Sequence, residues 1–279
     1  MTQYMLPLDL ITNEVFSNWM KVLRVITESR TTRSRWTRRS GHSSSGGRGK
    51  LFERYGSPGS VTKEYKEFSE WYLKTFSSGI LTSMLKNLDQ YRRKVYVSPR
   101  VMQQALNYIN TAVSHAHSWK LIKPHMLQII QDIVFPLMSY SEADAELWDT
   151  DPYDYIRIKF DIFEDFVSPV TAAQTLLHSA CKKRKEMLQK TMNLLLTIIQ
   201  TAGTTPSQKD GALHMIGTMA DILLKKPIYK DQMEKFLVEI VFPEFNSPHG
   251  HLRARACWVL HYFSDVKYQN EQVLAEAFR

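Results

Sequence analysis

The 279-residue sequence contains only two cysteines, Cys181 and Cys257, which excludes a framework of several disulfide bonds. Both lie within helical apolar patterns. Cys257 stands amid Ala256, Trp258 and Leu260, so the sequence predicts a buried structural thiol there. No Asn-x-Ser/Thr acceptor site for N-glycosylation occurs either. These absences together agree with a protein of a reducing compartment, cytosolic or nuclear.

Long apolar runs are also absent. No window of the sequence approaches the roughly 18 consecutive apolar residues that a membrane-spanning helix needs. The opening residues lack a basic stretch followed by an apolar stretch, so no signal peptide is predicted. The sequence therefore predicts a protein without a membrane partner.

The residue patterns that enzymes and metal sites require are missing as well. The nine histidines are scattered, and the pair His249 and His251 has no cysteine or carboxylate spaced to complete a metal site. Gly211 and Gly217 lack the strand and the Lys-Ser/Thr of a phosphate-binding loop. Alternation of apolar and polar residues is not convincing anywhere, so strands are absent or few. We predict an all-α protein that is not an enzyme and holds no cofactor or metal.

The formal net charge of +8 comes mainly from one short segment. Residues 30–50 contain seven basic residues and no acidic one: Arg30, Arg33, Arg35, Arg38, Arg39, Arg48 and Lys50. The rest of the chain is close to neutral, so the composition does not indicate a basic face for nucleic acid. We therefore do not expect nucleic acid to be a partner.

The same segment divides the chain into three parts. Residues 1–30 contain an amphipathic pattern over 8–29 that predicts one helix of a repeat unit. Residues 31–50 are rich in Arg, Ser and Gly with one large apolar residue, Trp36, and are predicted to be disordered. From Leu51 to Arg279 helical patterns resume and continue.

Helices of 14–20 residues joined by short loops are predicted to form antiparallel pairs. The pairs 183–201 with 208–225 and 229–243 with 249–264 lie about 44 residues apart. That spacing lies in the period of about 40–47 residues that HEAT and armadillo repeats have. A compact helical bundle is the alternative, which the pattern alone leaves open.

The tetrapeptide Ile-Val-Phe-Pro occurs twice, at 133–136 and at 240–243, each time at the end of an apolar helical run. Each copy precedes an aliphatic-Arg pair, at 156–157 and at 252–253. The first interval is 11 residues longer than the second, and the extra residues fall in an acidic stretch at about 140–152. A repeat with one insertion indicates a scaffold with a functional element added to it.

The acidic insertion is the candidate binding site. Residues 141–166 carry nine acidic residues and two basic ones, in a chain of opposite sign. Such a negative field steers basic partners. The alternative is a solvated loop in which Asp151 and Asp154 favour a helix start. Trp148 fits that alternative less well, because an aromatic side chain in a loop needs a pocket or a partner. The predicted contact residues are Glu142, Asp144, Glu146, Trp148, Asp149, Asp151 and Asp154.

Five stretches of this sequence carry a family resemblance. They are Phe-Pro-Leu-Met138, Asp151-Pro-Tyr-Asp-Tyr-Ile-Arg157, Phe163-Glu-Asp-Phe166, Lys209-Asp-Gly-Ala-Leu-His-Met-Ile-Gly217 and Arg253-Ala-Arg-Ala-Cys-Trp-Val-Leu-His-Tyr-Phe263. The chain resembles the importin-beta superfamily of nuclear transport receptors (karyopherins), closest to the importin-7/importin-8 branch. The resemblance runs from Leu51 to about Tyr268 and returns in Pro7–Glu28.

The resemblance implies a partial HEAT-repeat solenoid, a right-handed superhelix, that carries cargo between cytoplasm and nucleus through nuclear pores. It implies three kinds of partner: the GTP form of the small GTPase Ran, Phe-Gly nucleoporins, and basic cargo such as ribosomal proteins or histones. Acidic loops in such receptors contact Ran or basic cargo, which strengthens the prediction for the insertion.

Residues 31–50 depart from the family pattern, and the family's amino-terminal and carboxy-terminal repeats have no counterpart in the chain. We interpret the chain as a truncated central fragment and residues 31–50 as a reading-frame or gene-model error. The competing hypotheses are RNA binding through residues 30–50 and a helical interaction scaffold without a transport role. Because an incomplete solenoid exposes apolar ends, we expect the chain alone to oligomerise or aggregate in size-exclusion chromatography with light scattering.

Overall fold

The computed structural model describes residues Lys63, 66–73, 77–160, 168–269 and 275, all within a unit that spans Gly49–Arg279. Within these ranges the regular elements are helices, and none is a strand. No described helix is long and apolar enough to cross a bilayer. The predicted helix at 8–29 and the segment 31–50 lie outside the described residues, so those two predictions stay predictions.

The elements follow one another in this order. They are α1 (Lys66–Tyr72), α2 (Ser78–Arg92), α3 (Pro99–Ser114), α4 (Ala116–Ile129), the π-helical turn π1 (Ile130–Val134), α5 (Phe135–Met138), α6 (Glu142–Thr150), α7 (Pro152–Phe160), α8 (Pro169–Lys183), α9 (Lys185–Gln200), α10 (Pro206–Thr218), α11 (Ala220–Leu223), α12 (Pro227–Lys230), α13 (Met233–Phe236), the π-helical turn π2 (Leu237–Val241), a 3₁₀ turn (Phe242–Asn246) and α14 (Gly250–Tyr262).

Two helix starts that the sequence predicts are present. Ser98 precedes Pro99, and its hydroxyl accepts the backbone N–H of Val101 at 3.4 Å. Ser168 precedes Pro169 and caps α8 in the same way, by accepting a backbone N–H at 3.0 Å. A proline in the first turn needs no hydrogen-bond donor, and the serine satisfies one of the free N–H groups. The cap and the proline therefore fix where these helices begin.

The helices form two layers. In the first layer α3, α8, α10 and α14 pack side by side in that order. In the second layer α2 packs on α4 and π1, and α4 packs on α9. Consecutive helices such as α2 and α3, or α9 and α10, pair across the layers. This is the pattern of stacked helix pairs, and the all-α HEAT-repeat fold predicted from the sequence is confirmed.

Both Ile-Val-Phe-Pro copies lie at the same structural feature. Each is entered through a π-helical turn, and Ile130–Val134 and Leu237–Val241 are 107 residues apart. The N–H of Phe135 donates to the carbonyl of Ile130, and the N–H of Phe242 donates to that of Leu237. A proline has no N–H, and its ring collides with the carbonyl four residues earlier. The wider π turn accommodates the proline, so the two copies occupy corresponding positions in two repeats.

Two local predictions are wrong. The acidic stretch at 142–150 is a helix, α6, and not a loop. Cys257 is exposed, whereas Cys181 is buried. The buried face of α14 is formed by Leu252, Ala256 and Val259, and position 257 follows Ala256 by about 100° around the helix. Apolar neighbours in sequence therefore did not place Cys257 in the core.

Candidate functional site

The acidic insertion folds into two short helices, α6 and α7, inserted between the repeat helices α5 and α8. Ser141 caps α6: its hydroxyl accepts the N–H of Asp144 at 3.2 Å, and the Asp144 carboxylate accepts the N–H of Ser141 at 2.9 Å. This reciprocal pair is a capping box, which satisfies two N–H groups at a helix start. The Ser-Glu-Ala-Asp spacing carries that signal, so the sequence could have predicted a helix here.

Asp151 makes the turn between the two helices. Its carboxylate accepts the N–H groups of Tyr153 at 2.9 Å and Asp154 at 3.1 Å, which caps the start of α7. Asp154 in turn binds Arg157 at 2.7 Å, one turn further along α7. The helix-start alternative considered for Asp151 and Asp154 therefore matches what they do in the structure.

The Asp144 carboxylate also binds a partner within the chain. Its side chain binds the ammonium group of Lys159 at 2.5 Å, which ties α6 to α7. The residue is only 8% exposed. A carboxylate already shared between a helix cap and a lysine offers little to a partner, so Asp144 holds the insertion together.

Trp148 has its pocket within the chain. Its ring lies edge-on to Tyr155, with ring centroids 5.1 Å apart. It also covers Gly250 at the start of α14: a Cβ atom added there would lie 2.1 Å from Trp148 Cζ2. The glycine is therefore required for the close approach of α6 to α14. The expectation that Trp148 needs a pocket or a partner is resolved by this pocket, so Trp148 positions α6.

Tyr155 lies at the centre of an aromatic cluster formed by residues 140–160. It is 1% exposed, and its ring meets those of Tyr140 at 5.9 Å and Phe160 at 6.1 Å, each near perpendicular. Burial is the main cause that raises the pKa of Tyr155, and the nearby Asp210 carboxylate adds to it. Tyr155 is therefore a neutral packing residue, and no sequence signal marked it.

An ion pair lies beside this aromatic cluster. Arg255 of α14 donates to Asp210 of α10 at 2.8 Å, and their side chains are only 4% and 1% exposed. The Arg255 guanidinium also lies over the rings of Phe160 and Trp258, at 4.7 and 4.9 Å from their centroids. A charge buried this deeply is tolerated because it is paired and stacked. The pair therefore joins α7, α10 and α14.

A stacked ring pair provides a second anchor. Tyr140, just before α6, lies on His251 of α14, with centroids 3.7 Å apart and planes 11° from parallel. Burial lowers the pKa of His251, which keeps the imidazole neutral in the stack. Ser207 of α10 adds a hydrogen bond to the carbonyl of Tyr140 at 2.5 Å. The insertion is thus a fixed part of the surface.

Three of the predicted acidic residues remain available. Glu142, Glu146 and Asp149 are exposed, and none forms an ion pair within the described part of the chain. Their spacing of four and three residues places them on one face of α6. On α7, Tyr153 is 86% exposed and Ile156 is 42% exposed. Of the seven predicted residues, these three acidic residues are exposed and form no ion pair with a described residue, whereas Asp144, Trp148, Asp151 and Asp154 make contacts that hold the insertion together.

A separate groove lies in the other layer, between α2 and the α4–π1 segment. Its volume is about 270 Å³, and its lining includes the apolar residues Leu85, Leu88, Ile129 and Ile133. Charged side chains, among them Asp132, stand along it. The groove therefore offers an apolar floor with a polar rim. No cluster of three or more potential metal ligands occurs among the described residues.

Comparison with known proteins adds the following. The sequence profile of a family named Cse1 matches residues 60–220, more than half of the chain. Importin-8 of Homo sapiens is 51% identical over 99% of this chain, and importin-8 of Danio rerio is 53% identical over 82%. The importin beta-like SAD2 homolog of Arabidopsis thaliana is 33% identical over 82%.

The chain spans 28%, 22% and 23% of the length of these three relatives, respectively. No solved structure matches it.

Proposed function

Since the chain belongs to the importin-beta family of nuclear transport receptors, in its importin-7/importin-8 branch, we propose that it is the central segment of a nuclear import receptor. The exposed acidic face of α6, formed by Glu142, Glu146 and Asp149, is the contact surface for a basic partner. The observation that carries this proposal is that these carboxylates are exposed and form no ion pair with another described residue, while the helix beneath them is anchored at several points.

A fixed anionic surface suits recognition of a basic protein. Charged groups that are held in place lose little conformational freedom on binding, and their field accelerates encounter with an oppositely charged partner. Residues 141–160 carry six acidic residues against two basic ones. The exposed ring of Tyr153 on the neighbouring helix can accept a lysine or arginine through a cation–π contact. These properties support basic cargo, such as ribosomal proteins or histones, and the GTP form of Ran as partners.

The apolar groove between α2 and α4–π1 supports a second class of partner. Phe-Gly nucleoporins present isolated phenylalanine side chains, and a shallow groove with an apolar floor can receive one aromatic ring. The groove is lined by residues of α2, α4 and π1 and shares none with the acidic face, so the two partners have separate sites. A receptor that binds nucleoporins is expected in the cytoplasm, in the nucleus and at the nuclear pore. No catalytic step is part of this function.

The test compares charge-neutralised variants. Glu142→Gln, Glu146→Gln and Asp149→Asn together remove the exposed face without touching a cap or an ion pair. The control removes three exposed carboxylates elsewhere, with Glu67→Gln, Glu239→Gln and Asp265→Asn.

Surface charges contribute about 0.2–1 kcal/mol each, so we expect the first variant to bind a basic ribosomal protein, or GTP-bound Ran, about tenfold more weakly by surface plasmon resonance. The control should bind like the parent. If the parent, the acidic-face variant and the control bound both partners with equal affinity, the acidic face would have no part in the proposed binding.

A further inference from the structure

The described part of the chain carries a second charged surface, of opposite sign. Three short segments, 114–123, 181–186 and 221–231, contain nine lysines and arginines against three carboxylates, a net charge of +6. Each segment is the corner where a first-layer helix ends and the chain enters the second layer. The near-neutral balance outside residues 30–50 thus conceals a basic region and an acidic one.

The first two corners touch each other. The ammonium group of Lys183, at the end of α8, lies 2.5 Å from the hydroxyl of Ser114, at the end of α3. Arg184 donates to the carbonyl of Val113 at 2.6 Å. Lys123 of α4 reaches Glu186 of α9 at 3.0 Å. The lysines of residues 114–123 and 181–186 therefore form one continuous surface.

The third corner adjoins the second. His178 of α8 bonds to Asp221 of α11 at 2.8 Å, and Lys225 lies 4.0 Å from the same carboxylate. Lys226 is close enough to Cys181 to lower the pKa of its thiol, although burial is the larger effect and raises it. The lysines of the three corners are called the lysine edge below.

Helix stability accounts for only part of the lysine edge. Lys182 and Lys183 lie in the last turn of α8, where the helix dipole favours a positive charge. Lys185 opens α9 and Lys226 precedes α12, both at helix starts where the dipole disfavours it. Arg184 has a structural role, because its guanidinium also stacks over Trp119 at 4.7 Å. Lys120, Lys185 and Lys230 are exposed and form no ion pair within the described part of the chain, so no described carboxylate neutralises their charge.

We propose that the lysine edge binds an acidic polypeptide segment with interspersed apolar residues. Charge complementarity selects a polyanion. Two apolar side chains stand exposed along the edge, Leu121 at 39% and Ile228 at 71%, and an acidic peptide with leucine or phenylalanine covers them.

A nucleic acid is the less suitable polyanion. Its bases stack on exposed aromatic rings, and the described residues of the three corners include no exposed Trp, Tyr or Phe.

The dimensions of the lysine edge define the length of the segment. Packed helices lie about 8–10 Å apart, so three neighbouring corners extend over about 20 Å. An extended peptide covers about 3.3 Å per residue, so about six residues bridge the lysine edge. This site lies apart from the acidic face of α6 and does not depend on the function proposed above.

The test uses the full 279-residue chain and a fluorescent ten-residue peptide of alternating Glu and Leu. One exposed lysine is neutralised in each corner, with Lys120→Gln, Lys185→Gln and Lys230→Gln, none of which forms an ion pair in the described structure. The control variant carries Arg100→Gln, Lys235→Gln and Lys267→Gln, which remove the same charge elsewhere on the surface. Thermal melts of all three proteins check that they fold alike.

By fluorescence anisotropy we expect the lysine-edge variant to bind the peptide about tenfold more weakly than the parent, and the control variant to lose less than twofold. Replacing leucine by serine in the peptide should also weaken binding. The proposal is overturned if the parent does not bind the peptide or if both variants lose affinity equally. It is also overturned if single-stranded RNA of equal charge binds the lysine edge more tightly than the peptide does.

Discussion

Replacing Asp210 by asparagine tests how the insertion is held on the repeats. The substitution keeps the size of the side chain and removes only its charge. Arg255 then keeps a buried positive charge with no carboxylate opposite, since both side chains are at most 4% exposed. Breaking a buried pair from one side costs about 3–5 kcal/mol. The guanidinium carries the contacts to Phe160 and Trp258, so the loss extends to the α7 interface.

The assay is thermal and urea unfolding followed by circular dichroism at 222 nm. For a chain of this size each kcal/mol moves the Tm by about 2–4 °C, so Asp210→Asn should lower the Tm by about 6–20 °C. A second variant, Asp210→Asn combined with Arg255→Met, removes both charges. It should recover much of the loss, because the uncompensated charge and not the missing bond causes most of it.

Two outcomes would refute this reasoning. If Asp210→Asn costs less than about 1 kcal/mol, the pair is not buried as described or water reaches Arg255. If the double variant loses as much stability as Asp210→Asn and Arg255→Met lose separately when added together, the two charges are not coupled. Either result would mean that the exposed acidic face of α6 does not rest on a rigid support.

Three further predictions concern individual residues. Gly250→Ala should destabilise the fold by about 2 kcal/mol or more, because its Cβ would lie 2.1 Å from Trp148. Gly79→Ala, whose Cβ would meet nothing within 4 Å, should stabilise the fold by up to about 1 kcal/mol. Urea titration measures the change in unfolding free energy for both variants. Lys94→Gly should stabilise by about 0.5–1 kcal/mol, because Lys94 has a φ of 61°; no gain in Tm would contradict the assigned backbone. Burial lowers the pKa of His251 in the folded state, so its share of stability is lost as pH falls below the unfolded pKa of about 6.5. Urea titrations at several pH values should show a shallower decline for His251→Phe, and an unchanged pH slope would exclude His251 as the cause.

Local sequence patterns were sufficient for the repeat scaffold. Ser98-Pro99 and Ser168-Pro169 marked helix starts because a capping hydroxyl and a proline act over three residues. The two Ile-Val-Phe-Pro copies identified equivalent helix ends, and the structure adds the π turn that a proline at that place requires. The loop predicted over 142–150 is wrong because acidic composition does not determine backbone conformation there, whereas the Ser141–Asp144 capping box starts a helix.

The candidate site was only partly predictable because its contacts are long-range. Asp210 and Arg255 are 45 residues apart in sequence, and Arg255 meets the insertion through Phe160. No periodic sequence pattern connects residues so far apart, because they become neighbours only when the helical layers pack. The same holds for the lysine edge, whose corners become neighbours only when first-layer helices stack. Which carboxylates remain exposed therefore depends on packing, and the predicted set of contact residues stays a prediction.

The most direct test of the account measures the salt dependence of binding to a basic cargo protein by the parent chain and by the Glu142→Gln, Glu146→Gln, Asp149→Asn variant. Between about 0.05 and about 0.2 M salt, screening shortens from roughly 14 to 7 Å, so affinity that depends on exposed carboxylates falls. We predict that the parent loses affinity steeply over this range and that the variant, weaker at the lower salt concentration, loses much less. Parallel salt curves of equal affinity would contradict the claim that the exposed face of α6 binds the basic partner.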